Sequence, residues 1–173
     1  MEAPRVPEKP VGPPFRTELA EICWRLNQAG ARYLVVGARA LQLWGSARAT
    51  RDIDILIEPT EANAQCVLDA LSATGYGFAK EWAAAEVARK FVTIIGDSPR
   101  VDILTLAWSV RYRDAIRAAE HFEVEGVDIP TMSLDDLIAS KRTGRPQDVA
   151  DLVVLEEIRR LKETQGDHER GGA

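Results

Sequence analysis

Gly37-Ala38-Arg39-Ala40-Leu41-Gln42-Leu43-Trp44-Gly45-Ser46-Ala47-Arg48-Ala49-Thr50-Arg51-Asp52-Ile53-Asp54 is the stretch on which the fold turns. It follows directly on an apolar run, residues 33–36, and it opens a second one, residues 52–57. Between them the pattern reads as a tight glycine turn, a short helix over 38–44 and an Arg-bearing loop. Alternate side chains of a strand share a face, so Asp52 and Asp54 point one way and Ile53, Ile55 and Ile57 point the other, into a core. Two carboxylates held side by side repel each other unless a cation sits between them. A small set of hard oxygen donors suits Mg²⁺, which keeps waters and shares its shell with substrate phosphates. Gly37 lets a phosphate approach the backbone where a helix begins and unpaired amides are offered. The local chemistry reads as metal-assisted phosphoryl or nucleotidyl transfer.

Outward from this stretch, helices and strands alternate. Residues 16–29 carry Leu19, Ile22, Cys23 and Leu26 at helical spacing and end at Gly30. The four apolar residues 33–36 read as a strand buried on both faces. Pro59-Thr60 opens a helix to about residue 73, with Ala64, Val67, Leu68 and Leu71 as its core stripe. Residues 90–95 and 101–106 read as a hairpin across Gly96-Asp97-Ser98-Pro99. Residues 111–120 are expected to be helical, and 122–125 with 127–129 to form a second hairpin turning at Gly126. Ser133 resembles a capping residue for a helix to 142 that Gly144 stops. Pro146 suits the first turn of a last helix running to about 162. This order predicts a single α+β domain over 15–162. Five prolines in residues 1–14 mark a flexible leader, and the polar, Gly-rich residues 163–173 a flexible tail.

Composition narrows the classes. The 173-residue chain is 46% apolar, enough for one sizeable core. No run approaches the ~18 apolar residues of a membrane span, and no signal-peptide pattern opens the chain, so the expected location is cytoplasmic. Cys23 and Cys66 fall among apolar helix neighbours and read as small core residues. A net charge of −5 argues against a wholly basic nucleic-acid surface. Yet Arg39, Arg48, Arg51, Lys141, Arg142 and Arg145 all fall near the motifs, so a local basic patch is open.

A third carboxylate stands out in Val101-Asp102-Ile103-Leu104. A charged residue in an apolar strand is expected to be paired or ligating. Set on a strand beside Asp52 and Asp54, Asp102 would complete a cluster able to hold metal, and it would be placed to accept a hydroxyl proton. Lys141 lies three, four and seven residues after Ile138, Leu137 and Leu134, and so shares their apolar face. An inward lysine needs an anion, which a nucleotide phosphate or an acidic side chain would supply. Asp148 lies three residues before Asp151, on one face of the final helix with Leu155. It reads equally as a site residue and as a complement to the helix dipole.

The order apolar-Gly-small, about thirteen residues, then Asp-apolar-Asp resembles the DNA polymerase β nucleotidyltransferase superfamily. Residues 36–54, together with Asp136-Leu137-Ile138-Ala139-Ser140-Lys141 and Gly144-Arg145-Pro146-Gln147-Asp148-Val149-Ala150-Asp151-Leu152, resemble more closely its small AbiEii/AbiGii toxin-type members. The similarity extends over roughly residues 16–160. It implies a polymerase β-like fold, a mixed β-sheet flanked by helices. It also implies Asp52, Asp54 and Asp102 at Mg²⁺, with Mn²⁺ as the alternative ion, and Gly37 and Ala38 at the phosphates. Lys141 and Asp148 are implied to be functional and are read as nucleotide-binding, and so, apart from the resemblance, are Arg48 and Arg51, at the phosphates or the acceptor. The implied activity moves a nucleoside monophosphate from an NTP to a hydroxyl of an RNA end, a protein or a small molecule, releasing pyrophosphate. An antitoxin partner would follow from the toxin type. The chain has Ala38 where that family has Gly or Ser, which favours a second reading: a catalytically weak or inactive nucleotide-binding or interaction module. A phosphohydrolase is a third, although such sites often add His ligands and the chain has only His121 and His168.

Overall fold

The computed structural model describes residues 14–170. The expectations for the leader up to residue 13 and for the last three residues of the tail lie outside the described residues. Two elements open the chain: helix α1 (Glu18–Gln28) and strand β1 (Tyr33–Val36). Helix α2 (Gly37–Leu43), strand β2 (Ile53–Ile57) and helix α3 (Glu61–Ala73) follow. Next come α4 (Ala84–Val87), β3 (Val92–Ile95), β4 (Val101–Leu104) and α5 (Tyr112–Ala115). The chain closes with β5 (Glu120–Val124), β6 (Val127–Thr131), α6 (Leu134–Ser140) and α7 (Pro146–Arg170).

The strands form one mixed six-stranded sheet in the order β3-β4-β2-β1-β6-β5. β1 is buried at all four positions, as its unbroken apolar run requires of a central strand. It runs antiparallel to β2, Val36 facing Asp54, and parallel to β6. β2 runs parallel to β4, with Asp54 opposite Asp102 and Leu56 opposite Leu104. The hairpins β3–β4 and β5–β6 close the two ends of the sheet. Ile53, Ile55 and Ile57 are fully buried, as strand alternation predicts. Their core also takes in Leu26 of α1 and Leu68 and Leu71 of α3, and each such side chain contributes roughly 1.5–3 kcal/mol by leaving water.

Glu125 and Gly126 both take positive φ, 53° and 78°, which gives the two-residue turn whose twist matches paired strands. Glu125 therefore leaves the strand expected to include it. Its carboxylate accepts hydrogen bonds from the Arg16 and Thr17 amides at 2.7 and 2.9 Å and from Thr17 Oγ1 at 2.6 Å. These donors, the Arg16 amide foremost, hold Glu125 below the usual carboxylate range. They also tie the α1 N-terminus to the far end of the sheet.

Two further segments differ from expectation, and residues 77–87, for which there is none, are ordered. The helix expected over 111–120 is only α5 plus a 3₁₀ turn at Ile116–Ala118, because Glu120 is already paired with Thr131 in the sheet. Residues 77–87 carry no clear period, yet they form a 3₁₀ turn at Gly77–Glu81 and then α4. These bury Ala79, Ala84 and Val87. Helix α7 continues to Arg170, past the boundary near 162, since each added residue of an established helix gains a backbone hydrogen bond without needing an apolar stripe. Cys23 is buried and Cys66 half-buried, both as free thiols. No helix among the described residues is long and apolar enough to cross a membrane.

Candidate active site

The strand registers bring the two motif halves together. Because Val36 pairs with Asp54, the next residue, Gly37, turns directly over the Asp54 side chain. Gly37 has φ +62°, and a Cβ placed there would lie 2.1 Å from Asp54 Oδ2 and 2.9 Å from its Cγ. Glycine is required here twice over, by the backbone angle and by the carboxylate beneath it. Gly37→Ala is therefore expected to lose about 1–3 kcal/mol of stability, through strain and overpacking together. Urea denaturation would measure this, and an unchanged midpoint would show that the turn relaxes freely.

Asp54 is pushed up to about 6. Burial is the main cause, and the negative charges of Asp102 and Asp52 add to it against the opposing fields of Lys141 and Arg100. Among the described residues the Asp54 carboxylate has no hydrogen-bond or ion-pair partner. Asp102, only 8% exposed, does have one. Arg100 Nη2 donates to Asp102 Oδ2 at 2.9 Å and lies 3.7 Å from Asp52 Oδ2. Arg100 Nε is also 2.9 Å from Asp102 Oδ1, but the pair is not aligned as a hydrogen bond. The Arg100 side chain thus stands as the cation between two of the three carboxylates. The three carboxylates were expected to converge on a metal; Arg100 occupies the place between Asp52 and Asp102. Among the described residues no group of three or more His, Cys, Asp or Glu side chains is gathered in metal-ligand geometry. Arg100 went unmarked in the sequence, although it lies two residues before Asp102 and strand alternation puts both on one face.

Asp54 and Gly37 line an open cleft of about 680 Å³ with Lys141, Arg145 and Asp148. Lys141, at the end of α6, is 14% exposed at its side chain and reaches Asp148 at 3.0 Å and Asp151 at 2.9 Å. Asp148 also accepts from Thr143 Oγ1. Burial would raise Asp148, but the Thr143 and Lys141 hydrogen bonds and the charges of Lys141 and Arg145 hold it below the usual range. An ammonium has three donors, so one remains for a ligand in the cleft.

The other basic candidates divide. Arg48 does not line the cleft, because its guanidinium is ion-paired with the buried Asp151. Arg51 is exposed on the loop, where its carbonyl accepts from Arg39 at 3.4 Å, and it also does not line the cleft. The Ala38 side chain is buried, 8% exposed, beneath the turn.

The donors fit a hard divalent cation in kind. Asp54 is an unpartnered carboxylate raised by burial and by its acidic neighbours, and Asp102 Oδ1 is buried without an aligned donor. Both are eased by a positive charge. Asp52, Asp54 and Asp102 would hold it once Arg100 yields its place.

No protein-family profile and no curated protein matches the chain at the level of sequence. Solved structures do. One is a proposed nucleotidyltransferase from Thermotoga maritima, with TM-score 0.48 and 18% identity over 86% of this chain and 91% of its own. Another is an antigenic nucleotidyltransferase-like protein from Paracoccidioides brasiliensis, with TM-score 0.53 and 13% identity over 79% of this chain and 73% of its own. The chain has the nucleotidyltransferase-like fold, with Gly37, Asp54 and Asp102 brought together by the registers of β1, β2 and β4.

Proposed function

We propose that the protein is a nucleotidyltransferase that moves a nucleoside monophosphate from an NTP to a hydroxyl acceptor and releases pyrophosphate. One observation carries the reading. A left-handed glycine is seated on an unpartnered aspartate that pairs in register with a second aspartate, in a cleft also lined by a half-buried lysine. In this reading Asp52, Asp54 and Asp102 hold Mg²⁺ or Mn²⁺, which when bound supplies charge neutralisation at the phosphates. Gly37 and Ala38 present backbone to the phosphates, and the free donor of Lys141 meets one of their oxygens. Asp102, in register beside Asp54, is the carboxylate assigned to accept the hydroxyl proton once Arg100 withdraws. Catalysis is then mainly positioning and electrostatic complementarity.

A second reading, a nucleotide-binding module without transfer, is favoured by Arg100 spanning Asp52 and Asp102 and by Ala38 at the turn. The motif blocks at 36–54 and 136–152 support a finer assignment to the AbiEii/AbiGii toxin type, with an antitoxin as partner. Incubation with each labelled NTP, Mg²⁺ or Mn²⁺ and a cell extract tests the main reading. Label entering RNA, protein or a small molecule with release of pyrophosphate is expected. Saturable NTP binding with no transfer under any combination would leave the second reading in its place.

A further inference from the structure

The cleft has two unlike ends. Near Gly37 and Asp54 it is charged. Its wall along β3 and β4 and just beyond them, the apolar end, is made by Phe91, Val92, Leu104, Leu106 and Trp108, with no charged side chain among them. This apolar end belongs to the same face of the sheet as the carboxylates. Asp102 pairs with Ile94 and with Asp54, and Leu104, one strand step further on the same side, pairs with Val92. Two rings there are left open: Phe91 is 71% exposed and Trp108 is 55% exposed. Neither takes part in the aromatic pairs of the fold, Phe15 with Trp24 and Trp44 with Phe122.

Trp108 is also held at a cost. Ala107 and Val110 exchange both backbone hydrogen bonds, at 2.9 and 3.0 Å, leaving Trp108 and Ser109 as the turn. Trp108 has φ +57° at the first turn position, where a single left-handed residue is ordinarily glycine. A bulky side chain there is strained, and with over half of its surface in water Trp108 recovers little of that cost by burial. An exposed, strained aromatic ring on a phosphate-type cleft marks a ligand surface.

We propose that Phe91 and Trp108 form the nucleobase subsite of this cleft, on which the base of a bound nucleotide stacks while its phosphates lie toward Gly37 and Lys141. This rests on the nucleotide-binding reading above. It also says which nucleotides are taken. Stacking is available to every base, and none of the five side chains of the apolar end carries a charge with which to read a base edge. The subsite is therefore indifferent to the four bases.

Calorimetric titration of the full chain in Mg²⁺ buffer tests it, with ATP, GTP, CTP and UTP against inorganic tripolyphosphate, which has the charge and no base. The four nucleotides should bind within about tenfold of one another, and each more tightly than tripolyphosphate. Trp108→Asn keeps a residue that tolerates the left-handed backbone. It should weaken all four by about tenfold, within the ~5- to ~150-fold range of one base–aromatic stack, and leave tripolyphosphate unchanged. Phe91→Ala should act in the same direction, and Trp108→Phe should restore most of the loss. Nucleotide affinities unmoved by both Trp108→Asn and Phe91→Ala would overturn the subsite while leaving the phosphate end standing. So would a parent protein that binds tripolyphosphate as tightly as ATP. One base preferred by far more than tenfold would overturn the indifference. A parent protein that binds neither nucleotide nor tripolyphosphate would sink the nucleotide reading itself.

Discussion

Lys141→Met is expected to lower folding stability by about 3 kcal/mol, the low end of the cost of removing one partner from a buried ion pair. Two carboxylates close on this ammonium, and their side chains are 13% and 6% exposed. Asp151 would keep Arg48 and Asp148 would keep Thr143, which is why the low end applies. Acid response gives a second readout. Asp148 is depressed in the folded state, so the stability it adds is present above its unfolded-state value and lost as pH falls through the folded one. Lys141→Met should flatten that acid limb. The double replacement Asp148→Asn with Lys141→Met should recover part of the loss, because the buried charge goes with its partner. Urea midpoints between pH 3 and 7 would measure all of this. A Lys141→Met protein within about 0.5 kcal/mol of the parent would show that the lysine serves the cleft and not the fold.

Asp54→Asn should act in opposite directions on activity and stability. Nucleotidyl transfer should fall by a factor on the order of 10²–10³, the scale of removing one preorganised charge-stabilising group. In chelator the variant should be more stable than the parent near neutral pH. Asp54 is raised in the fold to about 6, so the folded state binds the proton more tightly than the unfolded chain does. The parent therefore loses stability as pH rises from about 4 to about 6 and stays penalised above that, by up to roughly 3 kcal/mol at 1.36 kcal/mol per pKa unit. Asparagine carries no such penalty. The melting-temperature gap between variant and parent should be largest above pH 7 and close toward pH 4. A gap that is constant with pH would mean that the buried charge of Asp54, with its repulsion by Asp102 and Asp52, is not what the substitution relieves. Full Mg²⁺-dependent transfer by Asp54→Asn would remove this carboxylate from the site.

Local pattern was sufficient for most of the fold because most of its elements are decided locally. The unbroken run 33–36 could be satisfied only by a strand covered on both faces, and it is one of the two central strands. Asp52 and Asp54 alternate with Ile53 and Ile55, and the isoleucines are buried while the aspartates are half-buried. Ser133 caps α6 through the Asp136 amide, as its spacing from Asp136 requires. The expected helix over 111–120 failed at its end because Glu120 is claimed by pairing with Thr131, a partner on another strand that the local pattern does not contain.

What the sequence determined by itself about the site was residue type and periodicity: a glycine turn, alternating acids on a strand, a third acid on another, and a lysine on an inward helical face. What only the tertiary structure decided was partnership. The inward face of Lys141 calls for an anion, but spacing along one helix does not say that Asp148 and Asp151 of the next helix supply it. Alternation puts Arg100 beside Asp102, but its bridge to Asp52 needs the parallel register of β2 on β4. The contact of Gly37 with Asp54 joins residues seventeen apart and exists because Val36 pairs with Asp54 across two antiparallel strands. Charge energies fall off over a few ångströms and depend on burial. They are set by distances between strands and helices, which no periodicity within a single element contains.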